Sequence, residues 1–144
     1  MDPETARRRL AGAPVGYLAT IRDDPGRAGT SPVVSPHVVP CCFVLQGERV
    51  YSMVDDVKPK ATPALQRLAN LRAHPRASVL VDHYDDDWSQ LWWIRVDGAA
   101  RVVDAGAEHE RAADLLAAKY APYAARRPSG PAIVVDVDRW AAWP

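Results

Sequence analysis

The sequence contains only two cysteines in 144 residues, and they are adjacent, at Cys41 and Cys42. Neighbouring side chains on a strand face opposite sides, so a bridge between these two would need a strained turn. We therefore expect two reduced thiols, one of them in the core. Neither a Cys-x-x-Cys spacing nor a suitably spaced pair of histidines is present, and this excludes the usual zinc sites.

The chain also lacks net charge, because 18 basic and 18 acidic side chains cancel. No overall field therefore attracts nucleic acid or an anionic membrane. The first 16 residues lack the apolar core of a signal peptide. The longest apolar region, Val33–Leu45, is too short to span a bilayer. These absences predict one cytoplasmic domain over residues 1–144, without a nucleic-acid or membrane partner.

The motifs of several large enzyme classes are missing as well. There is no Gly-x-Gly-x-x-Gly, no phosphate loop ending in Gly-Lys-Ser/Thr and no Gly-x-Ser-x-Gly elbow. The acidic cluster of Asp82 and Asp85–Asp87 lacks the spacing of a calcium loop, so we interpret it as a solvated turn. Among the histidines, His109 is predicted to lie on a helix surface. Only His37 is a candidate for ligand contact, with a packed histidine as the alternative.

Hydrophobic patterning predicts short antiparallel strands with few helices, which is typical of a small barrel. A hairpin turn is expected at Asp97-Gly98, and the prolines of the second strand require an edge or a bulge. The predicted segments are a helix over Pro3–Ala11, strands over Val15–Arg22, Val33–Leu45 and Arg49–Asp55, a helix ending at His74-Pro75, a strand over Arg76–His83, hairpin strands over Ser89–Asp97 and Ala99–Asp104, a helix over Ala107–Tyr120 and a strand over Pro131–Val137.

The strand from Arg49 leads into two lysines, Lys58 and Lys60, and then into a helix. Thr62 and Pro63 have the residue types of an N-cap and a first helical position. Two ammonium groups beside a helix N-terminus favour a bound phosphate, because cations and unpaired N–H groups both attract an anion. The alternative is that these lysines belong to a solvated loop.

Five tryptophans are unevenly distributed: Trp88, Trp92 and Trp93 lie in one short segment, and Trp140 and Trp143 near the end. Such aromatic clusters occur in cores and dimer interfaces, and they can also form a flat apolar slot for a planar ring. Alternation along a strand places Trp92 and Trp93 on opposite faces. Lysines at one end and indoles at the other would suit a heteroaromatic ring with a phosphate tail, which describes a flavin-type cofactor.

Several short motifs follow one another in an order that is specific to one fold. They are Gly16–Ile21, Pro36–Pro40, Val50–Ser52, the pair Lys58 and Lys60, Asn70–Arg72, His74–Arg76, Leu80–Asp82 and Asp87–Ser89. With them the chain, from about Ala13 to Trp143, resembles the pyridoxamine-phosphate-oxidase-like split β-barrel family. Within that family it resembles the actinobacterial branch that uses the deazaflavin coenzyme F420.

This resemblance implies a mainly β (α+β) fold, a six- to seven-stranded antiparallel split barrel with a few flanking helices. It also implies a two-fold homodimer with two cofactor sites in its interface. The implied cofactor contacts are the third-strand backbone at Ser52, Met53 and Val54, the phosphate ligands Lys58 and Lys60, His37 with Pro40 near the ring edge or tail, and Trp88 from the partner subunit.

Two departures from the family pattern bear on the cofactor. The spacer Ala61–Ala69 is longer than in the simplest pattern, and Val15–Thr20 lacks the Arg-x-Val-x-Leu signature of the FMN enzymes. The second departure favours F420 over FMN. The implied activity is hydride transfer between F420 and an unsaturated or conjugated small molecule, with no catalytic residue identified. The alternatives are a non-catalytic F420 carrier, an FMN-dependent oxidase or reductase, and a haem-binding barrel.

Overall fold

The computed structural model describes residues 1–54 and 63–144, with the backbone alone for residues 63–65. These residues form four α-helices, one 3-10 helix and seven strands. The helices are α1 (Pro3–Gly12), α2 (Pro63–Ala73), α3 (Ala107–Lys119) and α4 (Ala121–Ala125), with the 3-10 helix at Trp88–Gln90. The strands are β1 (Gly16–Asp24), β2 (Val33–Cys41), β3 (Val44–Gln46), β4 (Arg49–Met53), β5 (Arg76–His83), β6 (Trp92–Val103) and β7 (Ala132–Trp143).

The first helix begins where its sequence predicts. The Asp2 carboxylate accepts a hydrogen bond from the Thr5 backbone N–H at 2.8 Å, and Pro3 occupies the first turn. Ala6 and Leu10, four residues apart, are buried on one side of the helix. The cap and the apolar spacing together fix the start and the orientation of α1.

All seven strands pair antiparallel, in the order β2-β1-β5-β6-β7-β4-β3. The edge strands β2 and β3 are nevertheless separated in sequence by residues 42 and 43 alone. Three residue steps span at most about 11 Å, so the sheet must curl until its two edges approach each other there. The predicted split-barrel architecture is confirmed.

The predicted long strand Val33–Leu45 is wrong, because it is divided into β2 and β3 at opposite edges of the sheet. Both sides of the division are apolar, and no glycine marks it, so periodicity alone could not locate it. Pro36 and Pro40 do lie on an edge strand, as predicted. Cys41 ends β2 as a buried residue and Cys42 is half-buried, as expected for a pair with one thiol in the core.

The predicted hairpin at Asp97-Gly98 is also wrong, because β6 runs without a turn from Trp92 to Val103. Asp97 pairs with Arg139 and Gly98 with Val137, so Asp138 is an extra residue that forms a β-bulge in β7. A Cβ atom on Gly98 would lie 2.1 Å from the Asp136 carbonyl oxygen. Glycine is therefore required by the close approach of two backbones and does not mark a turn.

The inner face of the curled sheet encloses the larger core. All seven strands contribute side chains to it, β3 through the half-buried Leu45, and α1 and α2 pack against it. Its largest fully buried members are Leu10, Leu18, Phe43, Leu71, Ile94 and Ile133. The core thus holds α2 against β1 and β6, and this positions the polar side chains of α2 described below.

The outer face of the sheet has two different halves. The closed half, formed by β4 and the adjoining parts of β6 and β7, is covered by α3 and α4, and Tyr51 and Val134 are buried there. The open half, formed by β2, β1, β5 and the remaining parts of β6 and β7, has no cover among the described residues. Tyr17, Ile21 and Val38 are exposed on it.

None of the helices in the described ranges is both long enough and apolar enough to cross a membrane.

Candidate functional site

A buried polar cluster lies between α2 and the inner face of β1. The Asn70 side-chain amide donates to Thr20 Oγ1 at 3.0 Å, and Gln66 Nε2 donates to Asn70 Oδ1 at 2.7 Å. Thr20 and Asn70 are 4% and 2% exposed. Because burying a polar group costs free energy unless it is hydrogen-bonded, these contacts make the cluster stable and fix the position of α2.

Arg67 belongs to the same buried surface, but one of its hydrogen-bond donors is unpaired among the described residues. The residue is only 8% exposed, and its Nε atom is buried without a hydrogen-bond partner in the described ranges. Arg67 lies close enough to Cys41 to interact with its thiol, but burial raises the pKa of Cys41 to about 11. The neutral thiol therefore supplies no countercharge near neutral pH. A buried cation with an unused donor is suited to bind an anion.

His37 lies on the inner face of β2, in direct register with Thr20 on β1. It is half-buried, and its Nδ1 atom is buried with no hydrogen-bond partner in the part of the chain that the structure describes. Residues that are directly paired across two strands share a face, so His37 faces the same side as the polar cluster. Two unpartnered ring or guanidinium nitrogens, on His37 and Arg67, thus occur on the inner side of the barrel.

Three residues at the end of β4 and directly after it were predicted to contact a cofactor. Ser52 and Val54 face the larger core side, and Met53 faces α3. Ser52 Oγ donates to the Cys42 carbonyl oxygen at 2.8 Å. β3 pairs with β4 no farther than Tyr51. Among the described residues, the backbone from Ser52 to Val54 therefore has no strand partner on that side.

The remaining predicted contacts are dispersed. Lys58 and Lys60 lie outside the described residues. Pro40 is exposed on the outer face of β2, opposite to the face of His37. Trp88 is 71% exposed on the 3-10 helix, whose first turn is capped by the Asp87 carboxylate. The structure therefore places His37, Ser52 and Val54 on the inner side and leaves Pro40 and Trp88 outside it.

The open half of the outer face contains two surface cavities. The larger, of about 730 Å³, lies over β2, β1 and β5 and is lined by apolar residues such as Tyr17 and Val38 together with Arg95. The smaller, of about 470 Å³, is lined mainly by aromatic side chains, including Trp93 and Trp143. Trp92 packs against the larger core and stacks on His83 at a centroid distance of 5.8 Å. Trp92 and Trp93 therefore leave β6 on opposite faces, as predicted, but both reach this cavity.

Sequence reasoning missed Arg67, Thr20 and Asn70 as members of the site. A signal was present for Arg67, which lies next to Leu68 and four residues before Leu71 in the apolar stripe of α2. A charged residue at such a position must be buried or displace the helix. Thr20 and Asn70 gave no comparable signal, because their contact joins residues 50 positions apart in the sequence.

In the described ranges, no group of three or more His, Cys, Asp or Glu side chains is arranged to hold a metal ion.

Similar folds occur in several solved structures. A conserved hypothetical protein of Mycobacterium tuberculosis superposes with a TM-score of 0.73 at 18% identity, covering 99% of this chain and 84% of that chain. A FAD-binding protein of Mesorhizobium loti gives 0.67 at 18% identity, covering 99% and 94%. A haem-binding protein of Mycobacterium smegmatis gives 0.71 at 21% identity, covering 99% and 55%. At these identities the likeness concerns the fold alone.

No curated protein matches the chain at a significant level. The family model described as pyridoxamine 5'-phosphate oxidase matches residues 2–144. That match spans nearly the whole sequence and agrees with the seven-stranded antiparallel sheet. The chain belongs to the pyridoxamine 5'-phosphate oxidase family.

Proposed function

We propose that this protein binds a flavin-type cofactor and transfers a hydride between it and an unsaturated or conjugated small molecule. Coenzyme F420 is the first candidate for the cofactor and FMN is the alternative. The observation that carries the proposal is Arg67, which is buried and whose Nε atom has no hydrogen-bond partner within residues 1–54 and 63–144. An anion beside this atom would remove the cost of its burial. The phosphate of a flavin-type cofactor is an anion of the right kind.

The position of Arg67 in the chain supports a phosphate at this place. Arg67 lies one turn into α2, so the N-terminal end of that helix and its partial positive charge are near. The sequence between β4 and α2 carries Lys58 and Lys60. We propose that these lysines complete the phosphate site and that the open edge of β4, at Ser52–Val54, lies along the ring.

The preference for F420 rests on the sequence. Val15–Thr20 lacks the arginine-containing signature that accompanies FMN in related enzymes. A flavin-type cofactor in general is also supported by the similarity of the fold to FAD-binding proteins of Mesorhizobium loti and Mycobacterium smegmatis. When bound, either cofactor supplies the redox chemistry. The residues of this chain then hold its phosphate, orient its ring and exclude water.

We further propose that the functional unit is a two-fold homodimer formed through the open half of the outer face. Most of the large exposed hydrophobic residues of the described chain lie on or beside this half, among them Tyr17, Ile21, Val34 and Val38. Exposed apolar patches of this kind mark interaction surfaces. Trp88 projects from the rim with 71% exposure, and it is therefore free to contact the partner subunit near its cofactor site.

The central experiment is an anaerobic titration of the purified protein with F420 and, separately, with FMN, followed by tryptophan fluorescence. Arg67→Met removes the charge from a buried position, and Arg72→Met is the matched control on the exposed side of the same helix. We expect Arg67→Met to weaken cofactor binding by about ten- to a hundredfold, as one charge-assisted hydrogen bond is lost. The control should bind like the parent protein.

The apo forms of the same variants provide a second readout. Because an unpartnered buried cation destabilises a folded protein, Arg67→Met without cofactor should melt at the same temperature as the parent or higher. Lower affinity together with unchanged or higher stability would distinguish a ligand-binding arginine from one that packs the core. Equal affinity of Arg67→Met and parent for both cofactors would refute the phosphate site.

Replacement of Lys58 and Lys60 by alanine tests the lysines separately. Each lost contact to phosphate should weaken binding about tenfold or more at low salt. The difference from the parent should shrink at high salt, because screening already weakens the contact in the parent. A double variant that binds as tightly as the parent at low salt would show that these lysines are not ligands.

Two other functions are separated by simple measurements. A carrier of F420 would bind the cofactor but fail to oxidise its reduced form against a panel of enones and quinones, whereas the proposed enzyme turns over with at least one acceptor. A haem-binding function is suggested by the fold of a haem-binding protein of Mycobacterium smegmatis. An intense haem absorption band after haem addition, with no response to either flavin-type cofactor, would favour that function.

A further inference from the structure

The end of β4 is held by the segment that precedes β7. Met53 pairs with Ala132 at the last position of the β4–β7 ladder. One residue farther, the Val54 backbone N–H donates to the Pro131 carbonyl oxygen at 2.9 Å. The two segments thus stay paired for one residue beyond the end of β4. Val54 is the last residue described before the part of the sequence that carries the two lysines.

Gly130 contacts Val54 at backbone level. A Cβ atom on Gly130 would lie 2.1 Å from the Val54 carbonyl oxygen and 3.0 Å from its carbonyl carbon. No side chain could rotate to relieve this contact, because both groups are backbone. Any residue other than glycine would therefore displace the Val54 carbonyl, the Gly130 backbone or both.

The other side of Gly130 is fixed by His109. His109 Nε2 lies 2.8 Å from the Gly130 carbonyl oxygen, and the residue is only 7% exposed. A carbonyl oxygen can only accept, so Nε2 must carry a proton in this contact. The prediction that His109 lies on a helix surface is wrong, because the first turn of α3 packs directly against the segment that ends at Pro131.

The first turn of α3 is itself anchored to the sheet. The Glu108 carboxylate accepts hydrogen bonds from Arg101 Nη2 at 3.0 Å, Arg49 Nη1 at 3.2 Å and Tyr51 Oη at 3.4 Å. His109 is the next residue in the helix. The hydrogen bond from His109 therefore connects Gly130 to a helix turn that three side chains of β4 and β6 hold in place.

We infer that Gly130 and His109 are positioning residues for the cofactor. Together they fix the Val54 carbonyl, and with it the backbone of Ser52–Val54 that the proposed function places along the ring. This inference rests on the proposed function, in which the edge of β4 lies along the ring and the lysines bind the phosphate. Neither Gly130 nor His109 touches the cofactor in this arrangement; both act through Val54.

The test compares three variants with a matched control. Gly130→Ala introduces the Cβ clash, His109→Phe removes the donor with little change of shape, and His109→Gln restores a donor in an uncharged side chain. Gly12→Ala is the control, because a Cβ at that position meets no atom within 4 Å. For each protein, cofactor affinity, thermal stability and amide hydrogen exchange at Val54 are measured.

We expect Gly130→Ala to weaken cofactor binding by about tenfold or more, and His109→Phe by about two- to tenfold, the value of one hydrogen bond. His109→Gln should recover most of the affinity lost in His109→Phe. The Val54 amide should exchange faster in Gly130→Ala and His109→Phe, and like the parent in Gly12→Ala. A purely structural role would lower thermal stability without a selective change of affinity or of exchange at Val54.

The two possible failures are distinguishable. If the parent binds F420 and FMN and Gly130→Ala binds them equally tightly, the positioning role is overturned and the proposed function stands. If the parent binds neither cofactor, the proposed function fails and the positioning role fails with it. Amide hydrogen exchange at Val54, compared between the variants and the parent, then still shows whether Gly130 and His109 hold the end of β4.

Discussion

The two halves of the outer sheet face differ although β6 and β7 contribute to both. In the closed half, α3 covers β4 and the adjoining parts of β6 and β7, and Tyr51 and Val134 are at most 1% exposed. In the open half, Tyr17 is 38% and Val38 59% exposed. β6 and β7 pass through both halves, so the difference does not arise from strand propensity. The two halves differ in exposure because α3 packs against the closed half and no described helix packs against the open half.

Each half carries a charged unit, and the two units have different surroundings. In the closed half, Arg101 binds both Glu108 and Asp136 and so connects α3 to two strands. In the open half, Arg95 Nε donates to Asp97 Oδ1 at 2.9 Å within one strand. The contacts of Arg101 attach α3, the helix that covers the closed half. The second unit pairs two charges on a surface that no other described element covers.

The largest expected effect is on the open half. Ile21→Glu combined with Val38→Glu places two like charges on each copy of the proposed dimer face. Charge repulsion and loss of apolar burial should weaken self-association by at least about a hundredfold. Sedimentation velocity at micromolar concentration should then show a folded monomer, because neither side chain is in the core.

A charge on the closed side of the molecule is the control for that variant. Ala118→Glu adds a carboxylate on the exposed side of α3 and should leave the dimer intact. A parent protein that is already monomeric, or a double variant that still dimerises, would show that the open half is not the interface.

The next largest effect is at the bulge that separates the two halves. Gly98→Ala forces a Cβ against the Asp136 carbonyl oxygen, where only 2.1 Å is available. We expect the free energy of unfolding to fall by about 1–3 kcal/mol, the usual range for overpacking. Urea unfolding measures it, with Gly12→Ala as the control. An unchanged midpoint would mean that the two backbones can separate at no cost.

Gly98 also illustrates how far the sequence could predict the fold. The sequence Asp97-Gly98 between two apolar runs has the composition of a hairpin turn, and only the pairing partners of β6 distinguish a turn from a bulge. β5 was predicted with its observed bounds, Arg76–His83, because a buried strand between a helix end and a polar turn is defined locally. Local signals thus gave the elements, whereas contacts between distant residues decided their continuity.

The candidate site, too, could be predicted from the sequence only in part. The sequence identified His37 and Ser52 as candidate contacts because they lie in short motifs, and the structure places both towards the inner side. It did not identify Arg67, whose significance lies in the burial of its own Nε atom without a partner among the described residues. Nor did it identify His109, because a helix with small residues on several sides gives a poorly defined apolar face. Burial of a polar side chain depends on packing that no local pattern encodes.

A smaller effect concerns the ionic contacts of the closed half. Hydrogen bonds from Arg101 hold the pKa values of Glu108 and Asp136 below their usual range. A carboxyl group with a lowered folded-state pKa stabilises the protein above its unfolded pKa, about 4.3 for Glu and 3.9 for Asp. This stabilisation is lost as the pH falls through the folded pKa. Arg101→Ala should therefore destabilise the protein at neutral pH and much less in acid.

Because Arg101 and Asp136 are each 40% exposed, the loss at pH 7 should be only about 0.5–1 kcal/mol. Chemical unfolding at several pH values measures it, and the curves of parent and Arg101→Ala should converge as the pH is lowered below the two unfolded pKa values. A difference that stays constant down to the lowest pH would show that Arg101 acts through packing of its aliphatic part and not through the two carboxylates.

The smallest effect on stability is expected at the rim of the open half. Trp88 is 71% exposed, and the 3-10 helix that carries it is capped by Asp87, whose carboxylate accepts from the Ser89 N–H at 3.0 Å. Trp88→Ala keeps this cap, so the free energy of unfolding should change by less than about 0.5 kcal/mol. Cofactor affinity should fall nonetheless, with little dependence on salt, because an indole contact to a ring is not ionic. If affinity is unchanged while the dimer forms, the open half is an interface without a role for Trp88 in the cofactor site.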